Sequence, residues 1–98
     1  MKFRKKPVVI EAVQLRWDTW GEMCHFAEVG ALVDGKPEGF HPDGDSSKIG
    51  LRIPTLEGVM EAHENDWIIR GIKGELYACK EDIFEATYDK ANEPTGRF

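Results

Sequence analysis

Four side chains in this chain combine the charge and aromaticity that ligand capture needs: Arg52, Trp67, Arg70 and Lys73. Stacking on a base and pairing with phosphate require an aromatic and a cation together. The surrounding pattern does not specify a phosphate cradle. Gly71-Ile72-Lys73-Gly74 reads as a short turn between strands, and no glycine-rich loop opens a helix. A second set is acidic: Glu57, Glu61 and Glu64. Carboxylates clustered on a small rigid domain can engage a basic groove on a partner protein. The plainer role of such charges is solubility. Trp17, Trp20 and Trp67 fit core or rim positions as well as a ligand cage.

Metal and nucleophile chemistry find less support. Cys24, His25, His41, His63 and Cys79 are the soft or borderline ligands. Structural zinc sites pair ligands two to four residues apart, whereas Cys24 and His25 are adjacent and would diverge by about 100° on a helix. The buried-thiol role is the expectation for both cysteines, with a Cys24–Cys79 disulfide left open. Asp43-Gly44-Asp45 lacks the remaining positions of a calcium loop. There is no Gly-x-Ser-x-Gly, and Ser46-Ser47 lies among turn formers. The expectation is no catalytic residue, no metal, no cofactor and no enzyme activity.

The elements that must position these residues follow from periodicity. Residues 7–15, led by Pro7 and the Val8-Val9-Ile10 run, predict a strand covered on both faces and therefore interior. Residues 19–29 predict a helix. Thr19 and Glu22 fit a capping box, Trp20, Met23, Cys24, Phe26 and Ala27 form an apolar face, and Gly30 suits a left-handed end. Residues 31–47 are rich in turn formers, with Asp34-Gly35 a tight turn, and predict a long mobile loop. The alternation of Ile49, Leu51 and Ile53 predicts a strand ended by Pro54. A meander follows through 59–63, 67–70 and 75–79. One helical turn at 80–84 and a short strand at 85–88 complete it. The sum is α+β, one helix on a mostly antiparallel sheet of five or six strands, with a small β-barrel carrying one helix as the alternative. The core would comprise the helix face with Val9, Val13, Ile49, Leu51, Ile53, Ile68 and Tyr77. Residues 1–89 would form one domain and 90–98 a flexible tail.

Composition agrees with one small folded unit. The chain has 98 residues, 41% of them hydrophobic, and a net charge of −5. Four of the 13 basic groups are Lys2, Arg4, Lys5 and Lys6, which leaves nine basic against 18 acidic groups beyond them. A chain this acidic is not expected to bind nucleic acid directly. The longest apolar stretch is far too short to span a bilayer, so no membrane association is expected. The basic tip is not followed by a signal-peptide h-region, and sparse cysteine fits a reducing cytosol.

The opening Met1-Lys2-Phe3-Arg4-Lys5-Lys6-Pro7-Val8-Val9-Ile10-Glu11-Ala12-Val13-Gln14 resembles that of a family of short bacteriophage and prophage proteins. So do Leu56-Glu57-Gly58, the run from Asp66 through Tyr77, Cys79-Lys80 and the run from Asp82 through Tyr88. Glu64-Asn65 stands where that family often has Pro-Gly, and Ala78 where a proline is common. The resemblance implies a phage or prophage origin and the host bacterial cytosol. It implies no activity and no site residues. The expectation is an accessory protein acting as a non-enzymatic binding module on an unidentified host protein, with inhibition of a host defence system as one such role. The alternatives are a nucleotide-signal-sequestering protein and a virion structural or assembly component. A homo-oligomer is compatible with each.

Overall fold

The computed structural model describes residues 10–88. The basic tip, Pro7, Val9 and the 90–98 tail lie outside the described residues. Six strands and two helices make an α+β fold: β1 (Glu11–Gln14), α1 (Trp20–Ala27), β2 (Glu38–Phe40), β3 (Gly50–Thr55), β4 (Gly58–His63), β5 (Trp67–Arg70), β6 (Leu76–Cys79) and α2 (Glu81–Thr87). The expected single sheet is instead two three-stranded antiparallel sheets, ordered β1-β5-β6 and β2-β3-β4, and among the described residues no barrel closes.

The break falls between β4 and β5, where a continuous meander would have paired them. Asn65 turns left-handed at φ 78°. The buried Asp66 carboxylate then accepts the His63 amide at 2.9 Å. Leu15 captures the turn backbone: its N–H donates to the Asp66 carbonyl at 2.8 Å and its carbonyl accepts from Asn65 at 2.7 Å. The chain leaving β4 is thus zipped onto the end of β1, and β5 continues that pairing. β1 is therefore an edge strand, not an interior one. Along it Glu11 is exposed, Ala12 and Gln14 are half-buried, and only Val13 is buried, so neither face is covered throughout.

Helix α1 sits where its apolar period predicts, with Met23 and Ala27 buried. Its ends differ from expectation. The Thr19 hydroxyl donates to the Gln14 carbonyl at 2.6 Å and accepts the Arg16 amide at 3.1 Å. It closes the tight turn at Trp17–Thr19 and does not cap the helix. Glu28, at φ 54°, takes the left-handed position expected of Gly30.

The expected loop at 31–47 contains β2, which pairs with β3. Gly39 makes this possible: the Trp20 ring lies so close that a Cβ at position 39 would be 2.8 Å from it. β3 runs through Pro54 to Thr55. β2 pairs only as far as Arg52, so the proline has an edge-like setting that tolerates its missing N–H. At the other end, α2 continues through Thr87, and the expected strand at 85–88 does not form. Phe84 stacks flat on Trp67 at 4.3 Å, which holds this helix against the sheet.

The core joins the two sheets and α1. Val13, Leu15, Met23, Ala27, Ile49, Leu51, Ile53, Ala62 and Ile68 form one buried cluster. Five of the seven non-helix residues expected there are present. Tyr77 is half-buried, and Val9 is not among the described residues. No helix among the described residues is long and apolar enough to cross a membrane.

Candidate functional site

The register of the second sheet builds the site. Two cross-strand rows share its outer face: Glu38, Arg52 and Glu61, then Phe40, Gly50 and His63. The alternate residues Leu51, Ile53 and Ala62 are buried in the core. Gly50 has no side chain, so the Phe40 ring lies across it. A Cβ at this position would be 2.6 Å from that ring. The Arg52 guanidinium sits 4.1 Å above the Phe40 centroid, and its Nε approaches Glu61 at 3.5 Å. The Phe40 and His63 rings meet at 70°, centroids 6.3 Å apart. Glu38 leaves the row, because its carboxylate accepts the Leu32 amide at 2.8 Å.

The loop from His41 to Lys48 walls one side and completes an open groove of about 630 Å³, with Glu64 also lining it. Short-range bonds hold that wall. Asp45 accepts the Ser47 hydroxyl at 2.7 Å and amide at 2.9 Å, and these bonds hold its carboxyl below its ordinary value. Lys48 pairs with Asp43 at 3.7 Å. His41 Nδ1 donates to the Lys48 carbonyl at 2.9 Å. The Trp17 indole N–H donates to the Ser47 carbonyl at 2.8 Å, which sets its ring beside His41 at 6.1 Å.

The four cation and aromatic candidates do not converge. Arg52 is in the groove. Trp67 and Arg70 lie three residues apart on β5 and therefore face opposite sides of the first sheet. Arg70 lies 4.3 Å over Phe26, bonds Glu11 at 2.7 Å and donates to the Phe26 carbonyl, which ties β5 to α1. Trp67 faces α2, and its buried indole N–H has no acceptor among the described residues. Lys73 is exposed in the β5–β6 turn, where its amide donates to Glu75 at 3.0 Å.

The acidic set also divides. Glu61 and Glu64 line the groove, while Glu57 occupies the turn at the opposite end of the β3–β4 hairpin. Cys24 and Cys79 are both free thiols. Burial first, then Asp66 and Asp82, push the Cys79 thiol up. Among the described residues, no group of three or more His, Cys, Asp or Glu is arranged to hold a metal ion.

The groove thus contains Phe40 and Lys48, which sequence reading passed over, and His41, which it weighed only as a metal ligand; Trp17, read as a core, rim or cage residue, lies beside His41. The signal for Phe40 was the Phe40/Gly50 complementarity, legible only once β2 and β3 are in register. No protein-family model, curated protein or solved structure matches this chain. Chemically, the groove offers charged pairs, acceptors and aromatic surface, and it is suited to holding a ligand by electrostatic and stacking contacts.

Proposed function

We propose that this protein is a non-enzymatic binding module whose protein partner docks on the outer face of the β2-β3-β4 sheet. One observation carries the reading. Arg52, Glu61 and Glu64, which belong to two separate candidate sets in the sequence, meet in a single mixed-charge groove. Such a patch complements a protein surface bearing its own polar and charged groups. It suits a nucleotide less well. The two cations of the groove among the described residues, Arg52 and Lys48, each already face a carboxylate, and a polyphosphate would meet Asp43, Glu61 and Glu64 together. The phage-like segments of the sequence suggest a partner in the cytosol of a bacterial host, with a defence protein as one such target.

The test is site-specific photocrosslinking of the full chain in bacterial cells. A photoreactive residue replaces His63 at the groove or, as control, Ile72 in the exposed β5–β6 turn. The reading predicts a discrete crosslinked species from position 63 and none from position 72. Equal products from both positions, or none from position 63, would overturn it. Thermal stabilisation that grows with nucleotide concentration would instead favour nucleotide sequestration.

A further inference from the structure

We infer that the groove receives a lysine or arginine side chain of the partner, with Glu64 as its counter-charge and His41 Nε2 as an acceptor. This rests on the docking face proposed above and names the chemistry it recognises.

Charge pairing in the groove is incomplete in one direction. Lys48 is matched by Asp43 at 3.7 Å and Arg52 by Glu61 at 3.5 Å. Glu64 lines the same groove and has no ion-pair partner among the described residues. An incoming anion would add a like charge beside it, whereas an incoming cation completes the set. The chain as a whole carries −5, so its field draws cationic groups toward the surface.

The neutral hydrogen-bonding group points the same way. A carbonyl only accepts, so the 2.9 Å contact of His41 Nδ1 with the Lys48 carbonyl places the proton on Nδ1. Nε2 is left free of that contact, and when it carries no proton its lone pair accepts an ammonium or guanidinium N–H. Beside it, Trp17 is 44% exposed although its indole N–H is already bonded to Ser47. A fixed, exposed indole is the aromatic surface on which cations sit best and against which an alkyl stem packs.

The experiment is NMR of the isotope-labelled full chain titrated with an acetylated hexapeptide of alternating arginine and glycine. The control peptide alternates glutamate and glycine. The arginine peptide should shift the Trp17 indole, His41 and Glu64 signals, and the glutamate peptide should not. Glu64→Gln keeps shape in an exposed turn, and its spectrum reports directly that the fold is retained. It should raise the arginine-peptide Kd about fivefold, the scale of one exposed ion pair. Absence of groove shifts with the arginine peptide, equal response to both peptides, or an unchanged Kd in Glu64→Gln would each overturn the inference. If the position-63 crosslink forms while the arginine peptide leaves the groove unmoved, the docking face stands and only the cationic recognition fails. If both are absent, the docking face fails as well.

Discussion

Two arginines lie over phenylalanine rings in this fold, Arg52 at 4.1 Å over Phe40 and Arg70 at 4.3 Å over Phe26. The platforms are alike, but the surroundings are not. Arg70 spends its remaining donors inside the molecule, on Glu11 from β1 and on the Phe26 carbonyl from α1. It therefore links a sheet edge to a helix end. Among the described residues Arg52 has only the longer contact to Glu61, on the neighbouring strand of its own sheet, and it opens onto a groove. The same stacked cation is a structural tie where two elements cross and a presented group where one sheet faces outward. Proximity of an arginine to an aromatic therefore says little about ligand binding until the other donors are traced.

The sharpest way to break this contrast is at the platforms. Phe26 packs against the core cluster as well as under Arg70, whereas Phe40 is absent from that cluster. Phe26→Ala should lower unfolding free energy by about 3 kcal/mol and Phe40→Ala by about 1 kcal/mol, measured by urea titration. Similar losses would dissolve the distinction. Gly50→Ala comes next. Its new methyl would meet the Phe40 ring and sit 3.1 Å from the Ala62 carbonyl. Overpacking of this kind should cost about 1–2 kcal/mol and displace Phe40 from beneath Arg52. The check is loss of the Phe40–Arg52 nuclear Overhauser contacts in a chain that still folds.

How far the sequence anticipates this contrast follows from range. Period-two and period-3.6 patterns locate Ile49–Ile53 and α1, because each buries one face of a local repeat. They cannot show that Leu15 draws the backbone of Asn65 and Asp66 away from β4, since that choice between sheets depends on bonds fifty residues apart. β2 is hidden for a related reason. Pro37 and Gly39 punctuate it like a loop, yet Gly39 is what admits Trp20. In the site, the arginines and glutamates are visible by type. Their separation into groove and tie is not, because it depends on strand register and on which sheet each strand joins.

A smaller effect sharpens the contrast from the first sheet. Phe84→Ala removes the stack on Trp67 that holds α2, and should cost about 1 kcal/mol. It should leave the groove signals in NMR unchanged, because α2 lies on the far sheet. Shifts at His41 or His63 would show the two regions to be coupled. The smallest effect is that of acid on the groove wall. Hydrogen bonds from Ser47 lower the Asp45 pKa below its ordinary value of 3.8. A depressed carboxyl stabilises its surroundings above that ordinary value and loses the effect as pH falls through the lower folded value. The Ser47 amide shift should therefore titrate with a midpoint below 3.8, followed by NMR. A midpoint at or above that pH would mean the wall is not held by Asp45.

The central claim, that one stacked arginine is structural and the other presented, is tested most directly by comparing Arg70→Ala with Arg52→Ala in urea unfolding. Loss of hydrogen bonds to a charged group predicts that Arg70→Ala is less stable by about 2 kcal/mol. An exposed pair predicts about 0.5 kcal/mol or less for Arg52→Ala. Equal losses, or a larger loss for Arg52→Ala, would contradict the account.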